Sequence, residues 1–269
     1  MGEQHDLREH ADSLPEAGFE NGAQARPPPG GQLRRSIFRH GWEDTPSNRV
    51  AAIAQNLWLH LHPRRLPPQA LRFGFTLCAG GIAFLLFLVT VATGLLLLLY
   101  YRPSTPHAYS DVLAITREVP YGAFLRGLHR YAGDGMVIAV VVHLLRVLLT
   151  GSYKPPREFN WVIGVALLVL TLAIAFTGYL LPFDQRGYWA TMVGAHLAGS
   201  VPVLGADGPA AVVGPNRDLR AALLGGASLG PASLVRFYAL HCFVLPLVAG
   251  LLTALHFWRV RKDGISTPL

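Results

Sequence analysis

Four long apolar segments limit the folds that this sequence can adopt. They cover residues 73–101, 124–150, 161–181 and 234–258. Each meets the length of roughly 20 apolar residues that a helix needs to cross a bilayer. Backbone N–H and C=O groups find no water inside lipid, so each segment must satisfy them within a helix. The sequence therefore predicts an all-α membrane protein, a bundle of four transmembrane helices.

The composition also favours a membrane protein. Hydrophobic residues make up 51% of the 269 residues and charged residues 14%, whereas about 25% charged residues is usual in soluble domains. The basic residues do not form a cluster of the kind that binds nucleic acid, so we expect lipid and no nucleic acid as partners.

The regions outside the spans predict the remaining domains and the orientation. Residues 1–45 are polar and rich in Pro, Gly and Arg, which is typical of a disordered or partner-binding tail. Residues 46–66 carry apolar side chains at helical spacing, which predicts an amphipathic helix on the membrane surface. Residues 67–269 then form the helical domain. Four spans put both termini on one side, and that side carries 15 of the 23 Lys and Arg residues, which predicts cytoplasmic termini.

Four of the eleven histidines lie inside the spans, where ionisable side chains are costly and rare. His129 and His143 are fourteen residues apart, so they share a helix face and are separated by about 21 Å along the axis. His241 and His256 are fifteen residues apart, about 22 Å, with an angular drift of roughly 60°. The second and fourth segments cross in the same direction. His129 is therefore level with His241, and His143 with His256.

Two facing imidazoles at each of two depths are the ligands that a six-coordinate haem iron requires. We therefore expect two stacked b-type haems in the bundle. His129 and His241 would bind the outer haem, and His143 and His256 the inner one. Any one of these histidines alone is more often a hydrogen-bonded core residue, as in a helical carrier without redox function. The matched depths of all four favour haem.

Two arginines lie on the histidine face of the second segment. Arg126 is three residues before His129, and Arg146 is three residues after His143. Each is a candidate partner for a haem propionate, because a buried carboxylate needs a cation. The alternative is that they are ordinary arginines at helix ends, whose charged groups reach the membrane surface.

Glycine pairs on the first and third segments repeat the fourteen-residue spacing of the histidines. The pairs are Gly80 with Gly94 and Gly164 with Gly178. Glycine lets a backbone approach a ligand closely, so we expect these four residues to pack against the haems. Gly94 and Gly178 would lie at the outer level, and Gly80 and Gly164 at the inner level. Packing of small residues between membrane helices is the alternative.

Several stretches within residues 67–269 resemble the cytochrome b family of quinol-oxidising complexes, most closely its split b6 type. They include "YYRP", "LHRY", "VHLLRVLLTGSYKPPRE", "TGYLLPFDQRGYWA" and "LVRFYALHCFVLPL". The fifteen-residue histidine gap and the end of the chain after the fourth segment also resemble that type. The resemblance implies haem ligation by the same four histidines, and propionate contacts from Arg126, Arg130 and Arg146.

The resemblance also implies a third haem. In b6-type proteins a cysteine at the position of Cys78 forms one thioether to an extra haem beside the inner haem. Arg261 matches an arginine near the propionates of that haem. From the residues alone, Cys78 would be read as an inert buried thiol. Cys242 has no match in the family and is expected to be such a thiol.

The function implied by the resemblance is that of a redox subunit in a quinol oxidoreductase, inactive alone. Quinol would be oxidised at an outer site and quinone reduced at an inner site, with proton translocation across a bacterial inner or other energy-transducing membrane. The acceptor would be a c-type cytochrome or a plastocyanin-like protein. The family's Pro-Glu-Trp-Tyr motif is absent from the sequence. We therefore expect a subunit-IV-like partner that carries it, a Rieske iron–sulfur protein and a homodimeric complex.

A second hypothesis comes from a different class of electron carrier. A dihaem membrane anchor would pass electrons between quinone and a dehydrogenase or hydrogenase, without oxidising quinol at a site of its own. The histidine spacing alone does not distinguish this anchor from the quinol oxidoreductase subunit.

Overall fold

The computed structural model describes residues 78–226 and 228–264, together with the single positions Pro46 and Arg49. The predicted tail at 1–45 lies outside the described residues. Of the predicted surface helix at 46–66, only Pro46 and Arg49 are described, and both are helical. Helices and turns make up the described part of the chain, which contains no strand.

Four stretches of the described chain are long and apolar enough to cross a membrane, which confirms the predicted fold class. In chain order the helices are α1 (Ala79–Leu98), α2 (Ala108–Arg117), α3 (Gly122–Leu149), α4 (Glu158–Leu180), α5 (Gln185–Gly199), α6 (Leu219–Leu224), α7 (Pro231–Ala239) and α8 (Leu245–Asp263). A π-helical turn, Leu240–Val244, joins α7 to α8. The spans are α1, α3, α4 and the continuous stretch Pro231–Asp263, here called the fourth span.

The four spans run alternately up and down and form one bundle. Helix α1 packs along α3, and α4 packs against both α3 and α8. We call the end of the bundle with the first residues of α1 and α4 and the last residues of α3 and α8 the inner end, and the opposite end the outer end. Many large apolar side chains of the spans are exposed around the bundle, as suits a surface in contact with lipid.

The fourth span extends beyond its predicted end at residue 258. It continues to Asp263, and two charged residues of its last turns, Arg259 and Asp263, are buried. Arg259 and Asp263 lie four residues apart on one helix face, and Nη2 of Arg259 is 3.0 Å from Oδ2 of Asp263. Charge alone is therefore a poor marker of the end of this helix.

Aromatic and aliphatic side chains close the outer end of the bundle. Tyr101, just after α1, donates its hydroxyl hydrogen bond to the carbonyl of Leu181 at 2.6 Å. Its ring stacks on Tyr238 of α7 with centroids 5.9 Å apart. The core beneath them consists of Ala108, Leu180, Leu234 and Phe237. These contacts hold the ends of α1, α4 and α7 together.

An ion pair fixes the connection between α1 and α2. The guanidinium of Arg102 donates to the carboxylate of Asp111 from Nε at 3.0 Å and from Nη2 at 2.6 Å. The backbone N–H of Arg102 donates to the same carboxylate at 2.9 Å. The side-chain hydrogen bonds from Arg102 hold the pKa of Asp111 below its ordinary value.

Asp111→Asn is expected to destabilise the protein by about 2 kcal/mol at neutral pH, since it removes hydrogen bonds to a charged group. A lowered pKa contributes stability that is fully present above about pH 4 and is lost as the pH falls through the folded-state pKa. The difference in thermal midpoint between variant and unmodified protein, followed by circular dichroism in detergent, should therefore shrink below about pH 4. Asp134→Asn is the control, because Asp134 lies 3.9 Å from Arg130 in a pair whose side chains are both 64% exposed. A difference that persists unchanged in acid would contradict the prediction.

The long connection between α4 and the fourth span is a folded structure. It contains α5 and α6, and the buried carboxylate of Asp218 caps α6 by accepting the N–H of Ala221 at 3.0 Å. Asp218 also accepts the N–H of Ala206 at 3.4 Å. Its backbone hydrogen bonds, first that from Ala221, hold the pKa of Asp218 below its ordinary value. A second ion pair, Arg220 with Asp207 at 3.1 Å, joins α6 to the turn that precedes it within this connection.

Candidate functional site

Two pairs of histidine rings face each other between α3 and the fourth span. The ring centroids of His129 and His241 are 6.1 Å apart, with the ring planes at 75°. Those of His143 and His256 are 6.4 Å apart, with the planes at 82°. The structure thus brings together the same pairs that the spacing in the sequence predicts, one pair toward each end of the bundle.

The distance within each pair suits a metal held between the rings. Two imidazoles bound through nitrogen on opposite sides of one metal, with bonds of about 2 Å, place their ring centroids roughly 6 Å apart. Both measured separations, 6.1 Å and 6.4 Å, agree with this arrangement. An iron with four nitrogen donors from a porphyrin needs only these two protein ligands. The residues present therefore fit a haem at each level.

Hydrogen bonds at the outer pair leave one nitrogen of each ring available for a metal. Nδ1 of His241 donates to the carbonyl of Ile174 at 2.9 Å. Nδ1 of His129 lies 3.0 Å from the hydroxyl of Thr93, whose own O–H donates to the carbonyl of Val89 at 2.6 Å. The hydroxyl oxygen therefore accepts from His129. With the proton on Nδ1, Nε2 keeps its lone pair for coordination.

Each histidine ring lies against a glycine of a neighbouring helix. The pairs are Gly80 with His143, Gly94 with His129, Gly164 with His256 and Gly178 with His241. The backbones of α1 and α4 approach the ring edges here, so the absence of a side chain helps to set where each imidazole lies. Gly94 and Gly178 lie at the outer level, and Gly80 and Gly164 at the inner level, as the spacing predicts. The contact described is with the histidine rings, and packing of these glycines against a haem stays a prediction.

Gly178→Ala is expected to displace His241 more than Gly164→Ala displaces His256. A Cβ at residue 178 would lie 2.6 Å from Cε1 of His241, but one at residue 164 would lie 3.7 Å from Cε1 of His256. Overpacking of this kind costs about 1–3 kcal/mol. We expect Gly178→Ala to lower the haem bound per protein, measured by absorbance against protein concentration, with Gly164→Ala as the matched control. Equal haem content in the two variants would contradict the prediction.

The predicted arginines occupy three different surroundings. Arg126 is half-buried and donates from Nη1 to the hydroxyl of Thr116 at 3.2 Å, near the outer end. Arg146 is partly buried and lines a cavity near the inner end. The side chain of Arg130 is 64% exposed and lies 3.9 Å from Asp134. Contacts of all three with haem propionates stay predictions.

A cavity of about 390 Å³ lies at the inner level of the bundle. His143 and His256 line it, as do Gly80 and Gly164 beside them. It reaches Cys78 at the inner end of α1. Most of its lining comes from the apolar faces of the spans, which suits a large, mainly apolar group.

Cys78 lies at the edge of this cavity and directly before α1. Its thiol is exposed, unlike the inert buried thiol that the residue alone would predict. Its backbone has φ 47° and ψ 19°, a left-handed conformation that turns the chain into the first turn of α1. Arg261 is half-buried in the last turns of α8. Cys242 is half-buried in the π-helical turn.

One buried pair at the inner end was not predicted from the sequence. The side chains of Arg259 and Asp263 are each 1% exposed. The guanidinium of Arg259 lies over the ring of Phe159, 5.3 Å from its centroid, and Asp263 lines the inner cavity. In the sequence, Arg259 is one of the basic residues that follow the fourth apolar segment. The signal for the pair is an Arg and an Asp four residues apart.

Known proteins resemble the chain in sequence and in structure. The family described as cytochrome b/b6/petB matches residues 66–264. Cytochrome b6 of Heliobacterium mobile is 47% identical over 193 residues, which cover 71% of this chain and 85% of that protein. Cytochrome b6 of Pyropia yezoensis is 44% identical over 192 residues, which cover 71% of this chain and 84% of that protein.

A solved structure, a hyperthermophilic respiratory Complex III, contains a chain with a similar fold. The TM-score is 0.65 with 26% sequence identity, and the match covers 84% of this chain. It covers 55% of the chain of that complex, so this protein spans about half of the length of that relative.

Proposed function

Because the chain belongs to the cytochrome b/b6 family, we propose that it is the dihaem cytochrome b subunit of a membrane-bound quinol oxidoreductase. Electrons pass from a quinol-oxidation site near the outer end to a quinone-reduction site near the inner end, coupled to proton translocation. The observation that carries the proposal is the pair of facing imidazoles at each of two levels, with centroids 6.1 Å and 6.4 Å apart.

The residues that hold the two haems come from two helices. His129 and His241 would hold the outer haem, and His143 and His256 the inner haem. A bis-histidine haem supplies one-electron transfer when bound. The carbonyl of Ile174, which accepts the Nδ1 proton of His241 at 2.9 Å, orients this ring and makes it a stronger ligand.

The inner end carries the residues of the second site. The cavity beside His143 and His256 also reaches Cys78, which supports a third haem joined to this thiol and a quinone close by. Arg146 and Arg261 are the proposed propionate partners at this end, with Arg126 and Arg130 at the outer end. The inner end faces the cytoplasm in this proposal, in line with the 15 of 23 Lys and Arg residues on that side.

Purification of the complex from its own membrane tests the proposed function. A pyridine haemochrome spectrum is expected to give two b haems per chain. A Rieske iron–sulfur protein, a c-type cytochrome and a subunit carrying Pro-Glu-Trp-Tyr should copurify, and the complex should reduce cytochrome c with quinol. A preparation without haem would overturn the proposal. Copurification with a dehydrogenase or hydrogenase instead would identify a dihaem membrane anchor.

Cys78→Ala is expected to abolish covalent haem in this chain. The thiol is exposed at the edge of the inner cavity, and a thioether survives denaturation whereas axial ligation by histidine does not. The measurement is haem staining of the chain on a denaturing gel. Cys242→Ala, which changes the half-buried cysteine, is the matched control and should keep the stain. If the unmodified chain does not stain, the third haem is not attached here.

A further inference from the structure

The fourth span contains one turn that is wider than the others. In the π-helical turn Leu240–Val244, the N–H of Leu245 donates to the carbonyl of Leu240, five residues back instead of four. Pro246 follows directly. A proline inside a helix lacks an N–H, and its ring collides with the carbonyl four residues earlier, here that of Cys242. A wider turn just before the proline relieves this collision, so the turn has a cause in the local sequence.

The wider turn changes how far the helix has rotated between His241 and His256. A regular helix turns about 100° per residue, so fourteen residues stop about 40° short of four turns and fifteen overshoot by about 60°. A π-helical turn takes up one more residue for the same rotation. His241 is the second residue of the turn, and the rest of the turn lies between His241 and His256. The fifteen residues therefore bring the second ring close to the angle that fourteen regular residues give. This is the angle between His129 and His143 on α3.

The distances within the two histidine pairs show that the rings of the fourth span face those of α3 at both levels. The outer and inner pairs have nearly equal centroid separations, 6.1 Å and 6.4 Å. Side chains reach about 5–6 Å from a helix axis, so rotation by one residue would move a ring by roughly 8 Å. Such a shift is larger than the separation within either pair. Without the wider turn, only one ring of the fourth span would face its partner on α3.

The glycines of α4 give an independent measure of the same register. Gly164 and Gly178 are fourteen residues apart on a helix without a π-helical turn. They contact His256 and His241 respectively, which are fifteen residues apart. The fourth span therefore uses fifteen residues to match fourteen on each of two neighbouring helices.

We propose that the π-helical turn Leu240–Val244 is a positioning element, which sets His241 in register with His256 so that both serve as axial ligands. The inference rests on the proposed function and adds the geometry by which a fifteen-residue gap becomes compatible with two stacked haems. His241 is the second residue of this turn, so the turn sets the position of a proposed ligand that it contains.

Single-residue deletions and insertions in the complete complex test the proposal. Deletion of Cys242, or separately of Phe243, should convert the wide turn into a regular one and keep His241 in place. Either deletion is expected to retain two haems per chain, both with low-spin bis-histidine spectra. An alanine inserted between Val248 and Ala249 should instead rotate His241 by one residue. We expect this insertion to halve the b-haem content and to remove one of the two b-haem components in a redox titration.

An alanine inserted between Gly214 and Pro215, in the outer loop, is the control and should leave both haems bound. Size-exclusion chromatography and helical content identify any variant that fails to fold, and two deletions are made so that the loss of one particular side chain does not decide the result. Failure of both deletions to bind two haems overturns the proposal, as does an insertion at Val248 that retains both. Absence of haem from the unmodified complex would instead overturn the proposed function itself.

Discussion

Replacing His241 with leucine is expected to halve the content of non-covalently bound b haem in the purified protein, from two b haems per chain to one. The ring of His241 lies 6.1 Å from that of His129, and each ring is the proposed ligand on one side of the same iron. A haem that loses one of two axial ligands is held far more weakly. Haemochrome absorbance per protein gives the stoichiometry directly.

The inner haem should remain in this variant. His143 and His256 lie about 21 Å along the helices from the outer pair, a distance set by fourteen residues of α3, and their separation of 6.4 Å does not depend on His241. A redox titration should therefore change from two components to one. His196→Leu, which removes an exposed histidine at the end of α5, is the matched control and should keep both components. Two haems in the His241 variant would show that this residue is not a ligand.

The two depths at which the histidine pairs lie follow from the sequence because helical geometry is regular. A fixed rise of about 1.5 Å per residue converts the spacing of His129 and His143 into a depth. The same rise puts Gly80 and Gly94 at those depths on an antiparallel helix. The structure places these glycines against the predicted histidines, within 3.1 Å of Cε1 for an added Cβ in each case. Spacing along regular helices is thus enough to pair residues that are far apart in the chain.

The features that the sequence did not predict depend on local departures from that regularity. The fifteen-residue gap suggested a drift of roughly 60° between His241 and His256, but the gap contains part of a π-helical turn that the spacing does not reveal. The position of the wide turn depends on backbone hydrogen bonds around Pro246. These bonds cannot be predicted from residue spacing. Helices α5 and α6 were also not predicted, because the connection that contains them is short of regular apolar spacing and is held by single polar contacts such as those of Asp218.

Asp263→Asn is expected to destabilise the protein more than any other conservative change at the inner end. It removes the charge that the structure places 3.0 Å from the guanidinium of Arg259, where both side chains are 1% exposed. Removing one partner of a buried ion pair costs about 3–5 kcal/mol, because the remaining charge loses the buried charge that it was paired with. The measurement is the free energy of unfolding in mixed micelles with increasing sodium dodecyl sulfate, followed by circular dichroism.

Asp134→Asn is the matched control for this prediction. Arg130 and Asp134 are also four residues apart, but the pair is 64% exposed on both sides and its atoms are 3.9 Å apart. Exposed pairs of this kind contribute about 0–1 kcal/mol, so we expect little change in the unfolding free energy. Similar losses of unfolding free energy for Asp134→Asn and Asp263→Asn would contradict the prediction that the buried pair contributes more to stability than the exposed one.

Removal of one partner of the buried pair should also cost a different amount of unfolding free energy from removal of the other. When Arg259→Met removes the cation, the carboxyl of Asp263 can take up a proton and become neutral. When Asp263→Asn removes the anion, the guanidinium of Arg259 remains charged at any pH that the protein tolerates. Asp263→Asn should therefore cost more than Arg259→Met, and the double variant should be more stable than Asp263→Asn alone, since no charge is left behind. A double variant that is less stable than Asp263→Asn would mean that Arg259 stabilises the inner end through its contact with Phe159 more than through its charge.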